Sequence, residues 1–239
     1  MIEYMKECNT GHEVLVVVSQ VRPVSEASTP ALHVLLWQHS LGPAAGRWAL
    51  PGGEVRDDED LRASATRQLA EKVDVRSLSH LEPVADFSDP ARVPGRRVFA
   101  SGFLGVLPCD AAPALPDDTA WFRVDELPDT VYDHAGIVAL ARDRLAAKLS
   151  YSNLGFALAP EEFTLSFLAQ LYAAALGHPV DPTNLQRVLT RRRELEACGR
   201  SAPPGPSGGR PAGLYRFAER RLRITDQFAT LRPPTGSGW

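Results

Sequence analysis

The sequence predicts an α/β/α sandwich over residues 1–149 and an α+β winged helix-turn-helix domain over 150–230, with 231–239 as a disordered tail. Three observations carry this. β-Branched apolar runs interleave with two helical patterns in the first part. After Tyr151 come two helix signatures joined by a short turn, then a strand, a Pro/Gly/Ser-rich loop and a returning strand. Charge divides at the same place: residues 1–149 hold 15 Lys and Arg against 22 Asp and Glu, a balance of −7, while 150–239 hold 11 against 7, a balance of +4 with every basic residue an arginine. A basic second part suggests a phosphate-backbone partner.

Length and composition bound the rest. A chain of 239 residues, 44% hydrophobic and 23% charged, fits one large domain or two small ones and has no apolar run long enough to span a bilayer. The start, MIEYMKECNTGHE, lacks the apolar core of a secretory signal, so a cytoplasmic location without membrane partners is expected. Cys8, Cys109 and Cys198 lie far apart with no paired metal spacing, and their odd number argues against a disulfide framework, which leaves ordinary thiols. The six histidines are scattered and read as surface or locally hydrogen-bonded groups.

In the first part, EVLVVVSQVR (13–22) and ALHVLLWQHS (31–40) are strand candidates that should pair across the polar loop PVSEASTP. Residues 48–51 lead to a turn at Gly52 and Gly53. The segment from Asp58 to Val73 has helical composition, with Asp57, Asp58, Glu59 and Asp60 near the positive end of its dipole. Strands follow at 81–87, 97–107 and 120–124, and a last helix at 133–149 repeats Ile137, Leu140, Ala141 and Leu145 at near-helical spacing. Trp121 and Phe122 are either core residues or the lining of an adenine-sized pocket.

Residues 53–75, GEVRDDEDLRASATRQLAEKVDV, resemble the Nudix box, a loop and helix that handle diphosphates. Gly53, Glu59, Arg67, Leu69, Glu71 and Val75 match its pattern, whereas Gln68, Lys72 and Asp74 depart from it. Positions 68, 71 and 72 share one helix face, where a hydrolase of this type gathers carboxylates around divalent cations. Here that face reads Gln, Glu, Lys. An ammonium about 4 Å from a divalent ion costs roughly 2 kcal/mol in water and roughly 8 at an effective dielectric near 20. No metal site, metal cofactor or catalytic residue is therefore expected. Binding can persist: Gly52 and Gly53 allow close backbone approach, Arg56 and Arg67 can meet phosphate oxygens, and Lys72 beside Glu71 can stand where a cation once stood. Arg67 and Glu71, four apart, also read as a plain helix-surface ion pair.

In the second part, Thr164 is an N-cap for LSFLAQLYAAAL, whose Leu165, Leu168, Leu171, Tyr172 and Ala175 form an apolar stripe, and Gly177 is its C-cap. Asp181 caps a second helix with Pro182 at its first position. Leu185, Val188 and Leu189 face inward, leaving Thr183, Asn184, Arg187, Thr190 and Arg191 on a face able to reach base edges and phosphates. Arg192 is a further phosphate candidate, and Arg210 and Arg216 lie on the wing, whose middle, from Ala202 to Gly208, is expected to be mobile. An ordinary helical hairpin with a solvated charged face is the plain alternative.

FTLSFLAQLYAAALG, DPTNLQRVL and GGRPAGLYRF, joined to the upstream box, resemble the Nudix-related transcriptional regulators of NAD metabolism over nearly the whole chain. That resemblance implies a homodimer on double-stranded operator DNA, repression of NAD biosynthesis or salvage genes, and ADP-ribose or a related nucleotide as effector. Some members keep hydrolysis, so an active metal-dependent ADP-ribose pyrophosphatase is the alternative, and a protein-interaction module without activity is a third possibility.

Overall fold

The computed structural model describes residues 10–23, 29–39, 45–203 and 211–226. The expected tail, residue Arg210, Cys8 and the middle of the wing loop at 204–210 lie outside the described residues.

The first part is built on β1 (Gly11–Arg22), β2 (Ala31–Gln38), β3 (Trp48–Ala49), β4 (Gly52–Glu54), α1 (Leu61–Val73), β5 (His80–Phe87), β6 (Val98–Val106), β7 (Thr119–Arg123) and α2 (His134–Tyr151). The sheet runs β3-β2-β1-β6-β5, with β4 also on β1 and β7 also on β2. β1 is parallel to β6 and antiparallel to β2 and β4. β1 is apolar at consecutive positions because helices cover both its faces. Val14, Val16 and Val18 pack with Ala65, Leu69 and Val73 of α1, and Leu15, Val17 and Val21 join Ile137, Val138, Ala141 and Leu145 of α2 on the other side. This is the expected three-layer sandwich.

Two local expectations are corrected. Gly52 and Gly53 are not a turn: they form β4, in register with Leu15 and Val14. A Cβ on Gly52 would lie 2.1 Å from the Val14 carbonyl oxygen, so glycine is required by strand packing. The box helix starts at Leu61, not Asp58, because Asp60 caps it, accepting from the Ala63 amide at 2.8 Å, while the Glu59 carboxylate turns back to the Arg56 amide.

The second part holds α3 (Gly155–Leu158), α4 (Leu165–Leu176), α5 (Pro182–Arg191), β8 (Leu195–Ser201) and β9 (Gly213–Phe217). The expected caps are in place: Thr164 on α4, Asp181 on α5, and Gly177 at φ 76 closing α4. Leu168, Leu171, Tyr172 and Ala175 do not build a separate core. They belong to the same apolar cluster as Leu15, Leu36 and Leu145, so the two parts share buried surface. Residues 218–226 then fold back over the junction. Asn153, 2% exposed, bonds Arg221 O at 2.9 Å and the Arg223 amide at 2.7 Å. Arg220 donates to the carbonyls of Phe156, Ala159 and Pro160, satisfying the end of α3. Burial pushes the Cys109 thiol up to about 11, which keeps it an unreactive neutral group.

Candidate functional site

The box face of α1 is a charge-balanced surface closed around Arg67. Its Nε donates to Glu59 Oε2 at 2.8 Å, Nη1 to Glu71 Oε2 at 3.1 Å and Nη2 to the Glu54 carbonyl at 3.2 Å. The guanidinium holds the Glu59 carboxyl down to about 2. With its side chain only 17% exposed and its donors engaged, Arg67 braces the loop to the helix, so the expected contact with a phosphate oxygen would compete with these bonds. Gln68, 4% exposed, lies under β4: turned to satisfy both ends of its amide, it donates to Gly52 O at 3.1 Å and accepts from Arg67 Nη1 at 3.2 Å. A Cβ on Gly53 would come within 2.6 Å of that amide, so the Gln68 side chain would have to shift to admit one.

Two further cations on this face are less tightly held. Arg56 reaches Glu71 only at 3.4 Å, with both side chains about half exposed. Lys72 has no carboxylate in ion-pair reach among the described residues, and its Nζ rests 4.3 Å from the centroid of Trp37. Trp37 donates from Nε1 to Leu50 O at 3.1 Å and lies against His39, ring centroids 4.4 Å apart. Burial and the Lys72 charge hold the His39 imidazole below its usual range. The Leu50 amide donates to Nδ1 of buried His134, whose proton affinity burial pushes down to about 3, so this ring is a neutral acceptor. Beside it Tyr132 stands edge-on, centroids 6.1 Å apart.

The donor set does not suit a divalent ion. Glu71 is bracketed by two guanidinium groups, Gln68 is neutral and engaged, and an ammonium stands at the remaining position. Sequence reasoning missed Trp37, His39, Tyr132 and His134. Trp37 reads as strand core, and the stretch LPDTVYD reads as a loop with nothing local to mark Tyr132 as a site residue. Trp121 and Phe122 divide between the two layers: Trp121 packs toward α1 with Arg22 5.0 Å above its ring, and Phe122 packs edge-on against Trp48.

On α5, Leu185 and Leu189 are buried and Val188 is half-buried, which turns Thr183, Asn184, Arg187, Thr190 and Arg191 outward as expected. Arg187 donates to Asn184 Oδ1 at 2.8 Å, so this pair presents as a unit. Arg192 is different. Its Nη2 donates to the Ser150 carbonyl at 2.9 Å and to Asp226 at 2.8 Å, and its side chain is 10% exposed. It pins α5 to the end of α2, and these bonds would have to break for the expected phosphate contact to form. Arg193, exposed at φ 58, is a basic residue at the same end that sequence reading passed over. The wing is the β8–β9 hairpin, held to α5 by Gln186 Nε2 donating to the Tyr215 hydroxyl at 3.1 Å. Arg216 is exposed and pairs with Glu196 at 3.0 Å.

Fold and sites together define a Nudix domain joined to a winged helix. Residues 14–141 match the NUDIX domain, and 155–217 match the NrtR DNA-binding winged helix domain. The ADPR responsive transcriptional repressor NtrR of Acinetobacter baylyi is 32% identical over 196 residues, 78% of this chain and 76% of that protein. The crystal structure of Shewanella oneidensis NrtR superposes with a TM-score of 0.72 at 28% identity, covering 86% of this chain and 93% of that one. The same protein complexed with a 27mer DNA gives 0.72 and 28%, covering 86% and 92%. The chain belongs to the NrtR family of Nudix-related transcriptional regulators.

Proposed function

We propose that this protein is a DNA-binding transcriptional repressor of NAD biosynthesis or salvage genes, whose Nudix domain senses ADP-ribose or a related nucleotide without cleaving it. The observation that carries the reading is the ammonium of Lys72 on the box face, without a carboxylate in ion-pair reach among the described residues, beside Arg56 and in place of a metal-binding acid. A fixed cation there supplies charge for a diphosphate and needs no divalent ion. The relative from Acinetobacter baylyi, named for its response to ADPR, and the DNA complex of the Shewanella oneidensis protein support both halves of the reading.

In this reading a homodimer in the cytoplasm places two α5 helices in successive major grooves, roughly 34 Å apart. No helix of the described residues is long and apolar enough to cross a membrane. Arg187, Asn184, Thr183 and Thr190 approach base edges, while Arg191, Arg193 and Arg216 approach phosphates. ADP-ribose favours a different arrangement of the joined parts and so weakens operator binding; by linkage, DNA weakens ADP-ribose binding by the same factor.

The test is a titration of genomic DNA fragments with and without ADP-ribose, beside an assay for AMP release with magnesium. Sequence-selective binding relieved by ADP-ribose, without turnover, supports the repressor. Rapid magnesium-dependent cleavage with indifference to DNA sequence supports the pyrophosphatase, and neither activity leaves a protein-interaction module. Among variants, Arg187→Ala is expected to weaken operator binding by about 1–3 kcal/mol and to relax base choice. Arg192→Ala should leave the slope of log K against log salt unchanged while lowering the urea midpoint, because its partners are Ser150 and Asp226. A slope flattened by about one unit in Arg192→Ala would return that residue to the DNA interface.

A further inference from the structure

We propose that Tyr132 is the platform on which the effector's base stacks, a reading that rests on the nucleotide sensor proposed above. Three non-glycine residues have positive φ among those described: Asp74 at 53°, Tyr132 at 49° and Arg193 at 58°. Asp74 ends α1 as a helix cap, where a short polar side chain tolerates this conformation. For an aromatic residue the left-handed region is unfavourable and persists only where the surroundings impose it. Around Tyr132 they do. The Val131 amide donates to Trp48 O at 2.9 Å, Arg47 donates to Thr130 O, and the His134 amide donates to Val131 O at 3.2 Å. On the far side the Asp133 carboxylate takes two bonds from Arg92, each 2.9 Å.

This bracing does not bury the ring. Tyr132 is 46% exposed, so the strained backbone is not offset by core packing and instead holds an aromatic face toward solvent. Its position fits a nucleotide. Val131, the preceding residue, is fully buried against Trp37, and Trp37 carries Lys72 on its face. His134, edge-on to Tyr132, and Trp37 are tied to the two ends of the same residue, the Leu50 amide and carbonyl. The exposed Tyr132 ring and the Lys72 ammonium are thus linked, through His134 and Trp37, to one residue, Leu50. A nucleoside diphosphate has the matching design, a planar base and a charged diphosphate separated by one ribose. Stacking on an aromatic ring tolerates any base, and ADP-ribose offers only adenine for it.

The experiment is calorimetry on the full chain with two probes, ADP-ribose and inorganic pyrophosphate, in wild type, Tyr132→Gly, Tyr132→Phe and Lys72→Ala. Tyr132→Gly is expected to weaken ADP-ribose about tenfold or more and to leave pyrophosphate unchanged. Tyr132→Phe should keep ADP-ribose within about twofold, because the ring and not the hydroxyl does the stacking. Lys72→Ala should weaken both probes. ADP-ribose affinity held within twofold in Tyr132→Gly, or a parallel loss of both probes there, overturns the platform while leaving the sensor intact. A wild type that binds neither probe overturns the sensor reading itself, and the platform with it.

Discussion

Replacing Gln68 and Lys72 together by glutamate is expected to give this chain a divalent-cation site and magnesium-dependent release of AMP from ADP-ribose. The Lys72 ammonium is the larger obstacle. Even at the dielectric of water, one unit charge about 4 Å from a divalent ion is worth roughly 2 kcal/mol, so reversing its sign shifts metal affinity by about 4 kcal/mol, near a thousandfold. Gln68 adds a second reason. Its amide donates to the Gly52 carbonyl, whereas a carboxylate at that place would face the carbonyl oxygen with no proton between them. A cation bridging the two oxygens relieves that repulsion and joins them to Glu71. Manganese calorimetry should show binding in the double variant and none in wild type, and magnesium should raise the thermal midpoint of the variant alone. Equal cleavage of ADP-ribose by wild type and variant would show that the ammonium does not disable the site.

That the box face departs from the acidic pattern was legible in three letters, because the helix period alone puts 68, 71 and 72 on one face. The caps of α4 and α5 were legible for the same reason: Thr164, Gly177, Asp181 and Pro182 act on backbone groups within a turn of themselves. What escaped the sequence depends on partners far along the chain. Gly52 reads as a turn glycine until Val14, 38 positions earlier, is seen to leave no room for a Cβ. Arg67 and Arg192 read as ligand contacts because their charge is visible and their geometry is not; one is closed on Glu59 and Glu71, the other on Ser150 and Asp226. Tyr132 is the extreme case, since its left-handed backbone has no signature in residue type and opposes what residue type suggests. The shared apolar cluster was equally hidden. The stripe on α4 predicts a buried helix, and only the tertiary structure shows that it is buried against β1, β2 and α2.

Arg92→Ala is expected to cost about 3 kcal/mol of stability and to release the loop that carries Tyr132. In sequence this arginine sits in an unremarkable stretch, DPARVPGRR, yet its side chain is 1% exposed. Nη1 donates to Glu13 at 2.7 Å, and Nε and Nη2 donate to the two oxygens of Asp133, so a single guanidinium joins β1 to the first residue of the α2 cap. Both carboxylates keep some solvent contact, at 21% and 32% exposure, which places the loss at the lower end of the range for broken buried pairs. Truncation leaves a cavity and two acidic groups facing each other across it. The urea midpoint should fall with the m-value unchanged, and Glu13→Gln should cost less in the Arg92→Ala background than in wild type, since the partner it loses is already gone. Because Asp133 follows Tyr132 directly, ADP-ribose affinity should fall in parallel while pyrophosphate binding at Lys72 and Arg56 persists. Stability within about 1 kcal/mol of wild type, a shift typical of surface sites, would mean that the Trp48 and Thr130 contacts alone fix this loop.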